Sequence, residues 1–87
     1  MVKMYVRHNV ADFSKWKPVY DEHEAARKQF GCKKTDVFTN TQNPNEVIAV
    51  LEWESKDQAL QFGASPSLKE ALQRSGVVSV PEVSFVE

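Results

Sequence analysis

Residues 46–54 read EVIAVLEWE and decide the fold of this chain. Every second side chain from Val47 to Trp53 is apolar and lies on one face of a strand, while Ile48 and Val50 make the other face apolar as well. Short apolar runs of this kind are typical of strands inside a sheet. The stretch therefore predicts a central strand that is buried on both sides.

The segment before this strand predicts its hairpin partner. Residues 41–45 read TQNPN, and asparagine and proline are common turn residues. Lys33–Asn40, on the other side of that turn, has a less regular strand pattern. We expect it to pair antiparallel with Glu46–Glu54.

The start of the chain predicts a strand and one long helix. Val2–His8 alternates apolar and polar side chains, as a strand with one buried face does. Asp12 can cap a helix of about 18 residues, Gly31 can end it in the left-handed conformation, and Pro18 adds at most a slight kink. Residues three and four apart share one face of this helix: Phe13, Trp16, Tyr20, His23, Arg27 and Phe30.

A broken helix and a last strand follow the central strand. Ser55, with Gln58 three residues later, forms a capping box for a short helix. The chain restarts as a helix at Ser65–Pro66, although Ser67 is a competing cap for the same helix. Val80–Val86 predicts the final strand.

This order of elements predicts an α+β fold. A βαββαβ chain forms a ferredoxin-like antiparallel sheet of four strands with its helices on one face, and residues 1–87 suffice for a single such domain. A domain of this size buries only roughly 60% of the surface that its unfolded chain exposes. The uncovered apolar face of the sheet therefore predicts a homodimer.

Composition excludes several classes of partner. The chain carries 11 basic and 12 acidic residues, a formal net charge of -1, so it has no general field to attract nucleic acid or an anionic membrane. The longest apolar run, Val47–Leu51, is far shorter than a membrane span, and no signal peptide is visible. Cys32 is the only cysteine, so nothing points to an oxidising compartment and we expect a cytoplasmic protein.

Local patterns also give the chain a resemblance to a known group of proteins. These patterns are Asp12-Phe13 with Trp16-Lys17, the strand-to-helix junction Glu52–Ser55, and Phe62 followed by Ser65–Leu68. They are similar to the dimeric α+β barrel superfamily, and more narrowly to its antibiotic biosynthesis monooxygenase-like branch.

The resemblance implies a pairing of subunits and a pocket. In that superfamily two ferredoxin-like subunits pack their sheets face to face, and each keeps a pocket between its own sheet and helices. Members include cofactor-independent monooxygenases that form quinones, haem-degrading enzymes, muconolactone isomerase-like enzymes and polyketide cyclases. The activity therefore varies on a shared scaffold.

One position departs from many of these relatives. They carry a histidine in the second helical segment, nine residues after the tryptophan that ends the third strand, where this chain has Phe62. A phenylalanine can line a pocket, but it neither ligates iron nor moves a proton. The sequence therefore disfavours haem degradation, and we expect no bound cofactor.

His23 is the sharpest candidate for a catalytic group, because the aromatic stripe around it faces the sheet. An imidazole in that place could serve as a base near neutral pH, although a half-solvated histidine at the helix border is the plainer interpretation. His8 has the same ambiguity at the end of the first strand. The resemblance implies a mainly apolar pocket whose candidate lining residues are Trp16, Tyr20, Trp53, Phe62 and His8; the aromatic ones could equally be core.

Other polar residues have simpler interpretations. We expect Arg7 to pair with an acidic side chain at the dimer edge and not with a substrate. Cys32 is a small thiol with no base beside it, so a buried structural role is the simpler interpretation. The run Asp21–Glu24 points around different faces of a helix, so we expect no metal site. The basic cluster Arg27-Lys28 and Lys33-Lys34 is explained by the helix dipole, and the central strand lacks the aromatics that stack RNA bases.

Two functions stay open at this point. The first is an enzyme that acts without a cofactor on a small aromatic or polyketide-like compound, as a monooxygenase, cyclase or isomerase, with His23 as its proton-transfer group. The second is a non-catalytic dimeric module that binds a small apolar or aromatic ligand or only stabilises an assembly.

Overall fold

A computed structural model describes all residues, Met1–Glu87. Its sheet has the strand order β2-β3-β1-β4, and every neighbouring pair is antiparallel. This is the ferredoxin-like α+β arrangement that the sequence predicts. The elements, in chain order, are β1 (Val2–Asn9), α1 (Phe13–Glu22), α2 (Glu24–Gln29), β2 (Cys32–Asn40), β3 (Asn43–Trp53), α3 (Lys56–Gly63), α4 (Pro66–Ser75) and β4 (Glu82–Val86).

The strand register separates two faces of the sheet. The face under the helices, called the helix face below, holds the apolar alternation of β3 and β1, and Met4 pairs with Leu51 and Phe85 across three strands. The opposite face, called the open face, is not covered by any helix of the chain. Its apolar side chains are half-buried or exposed: Tyr5, Phe38, Ile48, Val50 and Val86.

The prediction that β3 is buried on both sides is wrong for the single chain. Val47 and Trp53 are fully buried on the helix face, whereas Ile48 and Val50 on the open face are only half-buried. The helices α1 and α2 connect β1 to β2, and α3 and α4 connect β3 to β4. Both connections cross the same face of the sheet, so all four helices pack on that face. Ile48 and Val50 are therefore apolar side chains that no helix of the chain covers.

The single long helix that the sequence predicts is two helices, α1 and α2, which meet at His23. The His23 backbone N–H contacts the carbonyl oxygens of both Val19 and Tyr20, at 3.2 Å each, and ψ at His23 is 2°. The Tyr20 carbonyl also accepts a hydrogen bond of 2.7 Å from Nη1 of Arg27. The Tyr20 carbonyl oxygen is thus shared between His23 and Arg27 at the point where α1 ends, whereas Pro18 lies inside α1.

Most of the predicted helix ends are confirmed. Oδ1 of Asp12 accepts the Ser14 N–H at 2.9 Å, and Oγ of Ser55 accepts the Gln58 N–H at 3.3 Å. The choice between two caps for α4 falls on Ser65, whose Oγ accepts the Leu68 N–H at 3.2 Å.

Two other boundaries differ from the sequence-based prediction, whereas the left-handed conformation at Gly31 is confirmed. The β2–β3 turn is tighter than expected, because Asn40 already pairs with Asn43. The last strand begins at Glu82 and not at Val80, since Pro81 has no N–H to give to the sheet. Gly31 follows α2 with φ of 104°, a conformation that glycine adopts readily.

Candidate functional site

A cavity of about 520 Å³ lies between the helix face of the sheet and the helices. Most of its wall is apolar, and it includes side chains from β1, β3 and β4 as well as from all four helices. Its size is within the range of pockets that bind small organic molecules. A few polar residues interrupt the apolar wall: His8, Tyr20, His23, Arg27 and Ser75.

An aromatic wall is built by α1. Trp16 is 3% exposed, and its ring stacks on Tyr20 with 4.8 Å between ring centroids and on Phe13 with 5.7 Å. The spacing of these residues by three and four places them on one face of the helix. The hydroxyl of Tyr20 makes a hydrogen bond with Oγ1 of Thr35 on β2, which fixes the ring, and burial raises the pKa of Tyr20.

His8 is a buried imidazole on the cavity wall. It lies near the end of β1, is 6% exposed, and meets the Trp16 ring edge-on at 5.6 Å between centroids. Its Nδ1 is buried and makes no hydrogen bond to another residue. Burial lowers the pKa of His8, so the ring is neutral at pH 7. The strand-end interpretation of His8 as a solvated residue is therefore wrong.

His23 lies where α1 gives way to α2 and also lines the cavity. Its side chain is half-buried, its Nε2 is 3.1 Å from Oγ of Ser67 on α4, and its ring is 5.6 Å from that of Phe62. Burial lowers the pKa of His23, and the nearby charges of Arg27 and Arg74 lower it further. The imidazole is thus neutral at pH 7 and able to accept a proton.

The two remaining predicted pocket residues have different places. Phe62 on α3 lines the cavity, where its ring contacts that of Phe30 at 5.7 Å between centroids. Trp53, at the end of β3, is fully buried, and its ring centroid lies 5.4 Å from that of Phe62. It is not part of the cavity wall. The cavity therefore brings together His8, Trp16, Tyr20, His23 and Phe62, with Trp53 supporting Phe62 from outside the wall.

Sequence reasoning explained Arg27 as part of a basic cluster at the helix end and did not place it among the candidate site residues. Arg27 is 3% exposed and lines the cavity. Its guanidinium carbon lies 3.8 Å from the centroid of the Tyr20 ring. The signal for this position was its place on the helix stripe, four residues after His23, which points the side chain inward.

The other polar candidates lie away from the cavity. Arg7 is on the open face, where its guanidinium is 2.5 Å from Oε1 of Glu46 and 3.9 Å from Oε2 of Glu82. Burial raises the pKa of the Cys32 thiol, so it is a poor nucleophile. No three of the His, Cys, Asp and Glu side chains are grouped closely enough to hold a metal ion. None of the helices has the length and the apolar character that crossing a membrane requires.

Solved structures share this architecture. A crystal structure of an antibiotic biosynthesis monooxygenase is 16% identical, with 100% of this chain and 97% of that chain covered and a TM-score of 0.78. A protein from Bordetella bronchiseptica, assigned to the same class, is 14% identical with 99% and 94% covered and a TM-score of 0.84. SnoaB from Streptomyces nogalater, a cofactor-independent oxygenase, is 15% identical with 99% and 90% covered and a TM-score of 0.81. At these identities the likeness establishes the fold.

Comparison with sequence families is more specific. No curated protein matches the chain. Residues 13–74, from the start of α1 into the last turn of α4, match the family described as antibiotic biosynthesis monooxygenase. This segment contains Trp16, Tyr20, His23 and Phe62, which is most of the aromatic cavity wall. The chain belongs to the antibiotic biosynthesis monooxygenase family.

Proposed function

We propose that this protein is a cofactor-independent oxygenase that acts on a small aromatic or polyketide-like compound held in the cavity. The observation that carries the proposal is an apolar cavity of about 520 Å³ with two neutral imidazoles, His8 and His23, on its wall. Its similarity in fold to SnoaB, a cofactor-independent oxygenase, supports the same reaction class. An apolar site with a few placed polar groups suits a flat aromatic molecule.

The chemistry requires a substrate that can reduce O₂ itself. An aromatic ketone with an acidic CH₂ group loses one proton to a base and becomes an enolate. The enolate passes one electron to O₂, and the two radicals combine into a peroxide. Loss of the second C–H proton and cleavage of the O–O bond then give a new carbonyl group and water, so that R₂CH₂ and O₂ become R₂C=O and H₂O.

Each part of the cavity wall has a role in this scheme. His23 is the base, because its depressed pKa keeps it neutral and its half-buried position leaves it open to the cavity. His8 can hydrogen-bond a polar group of the ligand at the β1 side of the wall. Trp16, Tyr20 and Phe62 hold the aromatic body by stacking and exclude water.

The proposed partner of the chain is a second copy of itself. On the open face, Phe38 is 54% exposed and Val86 is 50% exposed. A chain of this size buries only a small core of its own, so covering these side chains would add to its stability. Two open faces packed together would bury these side chains and complete the α+β barrel. The ion pair of Arg7 with Glu46 would then lie at or near the interface.

Oxygen uptake with anthrone, a tricyclic ketone with an acidic CH₂ group, tests the proposed function. Wild-type protein should consume O₂ faster than the uncatalysed reaction, with one O₂ used per anthrone. His23→Ala should lower the catalysed rate by about 10²–10⁴-fold, the usual contribution of a general base. Because the pKa of His23 is lowered from 6.5, the wild-type rate should fall only when the pH drops below about 6.5.

The controls separate this role from simple damage. Val78→Ala, at a loop position that is 66% exposed, should keep the wild-type rate. Circular dichroism should show that His23→Ala is folded. A wild-type rate equal to the blank, with anthrone still bound, would support the binding-module interpretation and reject the oxygenase.

A further inference from the structure

Arg27 carries a buried charge without a counterion. It is 3% exposed, and the guanidinium group of arginine stays protonated in proteins. None of the ion pairs of the structure includes it. Its single hydrogen bond runs from Nη1 to the Tyr20 carbonyl, and its Nε is buried without a partner.

The other two arginines show what is missing. Arg7 lies beside the carboxylates of Glu46 and Glu82, and Arg74 is 3.7 Å from Oε2 of Glu22. Both of these side chains are about half exposed, so water would solvate them even without a partner. Fully buried arginines are almost always paired, because a lone charge loses the solvation that water gives it. The contact with the Tyr20 ring offsets only part of that loss.

One edge of the guanidinium has no hydrogen-bond acceptor. Nη1 is occupied by the Tyr20 carbonyl, whereas Nε has no acceptor and Nη2 makes no hydrogen bond in the structure. The Nε–Nη2 edge is a planar pair of donors that matches the two oxygens of a carboxylate. Arg27 lies on the wall of the 520 Å³ cavity, most of which is apolar.

We propose that Arg27 binds the carboxylate of an aromatic acid whose ring system occupies the cavity. Such an acid would be the substrate of the oxygenase proposed above, and only its role as a substrate rests on that function. An aromatic acid supplies both parts that the site calls for, an apolar body for the wall of Trp16, Tyr20 and Phe62 and an anion for the unpaired charge. A neutral ring system of the same shape fills the cavity but leaves Arg27 unpaired.

A pair of isosteric probes tests the proposal by binding alone. 2-Naphthoate carries a carboxylate, and 2-naphthamide has the same shape without the charge. Calorimetric titration of the wild-type protein at low salt should show naphthoate binding about tenfold to hundredfold more tightly, as expected for a charge-assisted pair. In Arg27→Gln that preference should vanish while naphthamide binds as before, and Arg27→Lys should retain part of it.

The matched control is Lys28→Gln, which removes the same charge one residue along α2. Lys28 lines a smaller basic cleft of about 160 Å³, together with Arg27, Lys33 and Lys34, but it does not line the cavity. It should keep the wild-type preference. An equal loss in Lys28→Gln would place the anion in the cleft and overturn the proposal.

Equal binding of the two probes to the wild-type protein would also overturn the proposal, and this comparison holds even if Arg27→Gln does not fold. Turnover of anthrone without any preference for naphthoate would reject the acid-binding site and leave the oxygenase in place. A clear preference for naphthoate without turnover of anthrone would do the reverse.

Discussion

Replacing Trp53 by alanine should lower the free energy of unfolding by about 3–5 kcal/mol. Trp53 is fully buried, and it packs with Phe62, Leu51, Ala59 and others in the larger of the two core clusters. Removing the indole leaves a cavity between β3 and α3 that the surrounding residues fill only in part. A domain of this size has a total stability on the order of 5–15 kcal/mol, so this one change removes a large share of it.

Urea unfolding at one fixed protein concentration, followed by circular dichroism, measures the effect. Trp53→Phe is the matched variant, because it keeps most of the ring volume and also removes an indole N–H that has no hydrogen-bond partner. It should cost less than half as much as Trp53→Ala. A Trp53→Ala protein within about 1 kcal/mol of wild type would show that this core does not hold the fold together.

Placing a lysine at Ile48 should dissociate the proposed dimer. Ile48 lies in the middle of the open face between Phe38 on β2 and Arg7 on β1, so a lysine would bring a second positive charge beside Arg7. In a two-fold interface the change occurs twice, and each buried unpaired charge costs several kcal/mol. We expect the dissociation constant to rise by about a thousandfold or more.

Sedimentation at micromolar concentration measures this change. Wild type should sediment as a dimer and Ile48→Lys as a folded or partly unfolded monomer. Val80→Lys makes the same substitution at a position that is 87% exposed and outside the sheet, and it should remain dimeric. A wild-type protein that sediments as a stable monomer would reject the pairing of open faces.

The sheet was predictable because its signals are local. The alternation from Val47 to Trp53 and from Val2 to His8 fixes which side chains face the helices, and the observed register keeps those two sets on one face. Capping by Asp12 and Ser55 also depends only on residues two or three positions away. These features require no knowledge of the tertiary structure.

The features that sequence reasoning missed depend on distant atoms or on competition between equal local signals. The break at His23 arises where the Tyr20 carbonyl serves both the backbone and Arg27. Ser65 and Ser67 are equivalent caps on paper, and only the packing of the chain selects Ser65. Arg27 lies on the inward stripe of the helix, but arginine side chains usually stay in water, so the sequence alone does not indicate that this one is buried.

We expect the two faces of the sheet to have different roles, with ligand binding on the helix face and pairing of subunits on the open face, and β3 contributes side chains to both. Ala49 and Leu51 point into the cavity, whereas Ile48 and Val50, their immediate neighbours in the chain, point to the open face. A methyl NMR titration of the wild-type protein with 2-naphthoate compares the four residues directly. We expect the methyl signals of Ala49 and Leu51 to shift while those of Ile48 and Val50 stay nearly unchanged. The largest shifts at Ile48 and Val50, or none at Ala49 and Leu51, would contradict this division between the two faces.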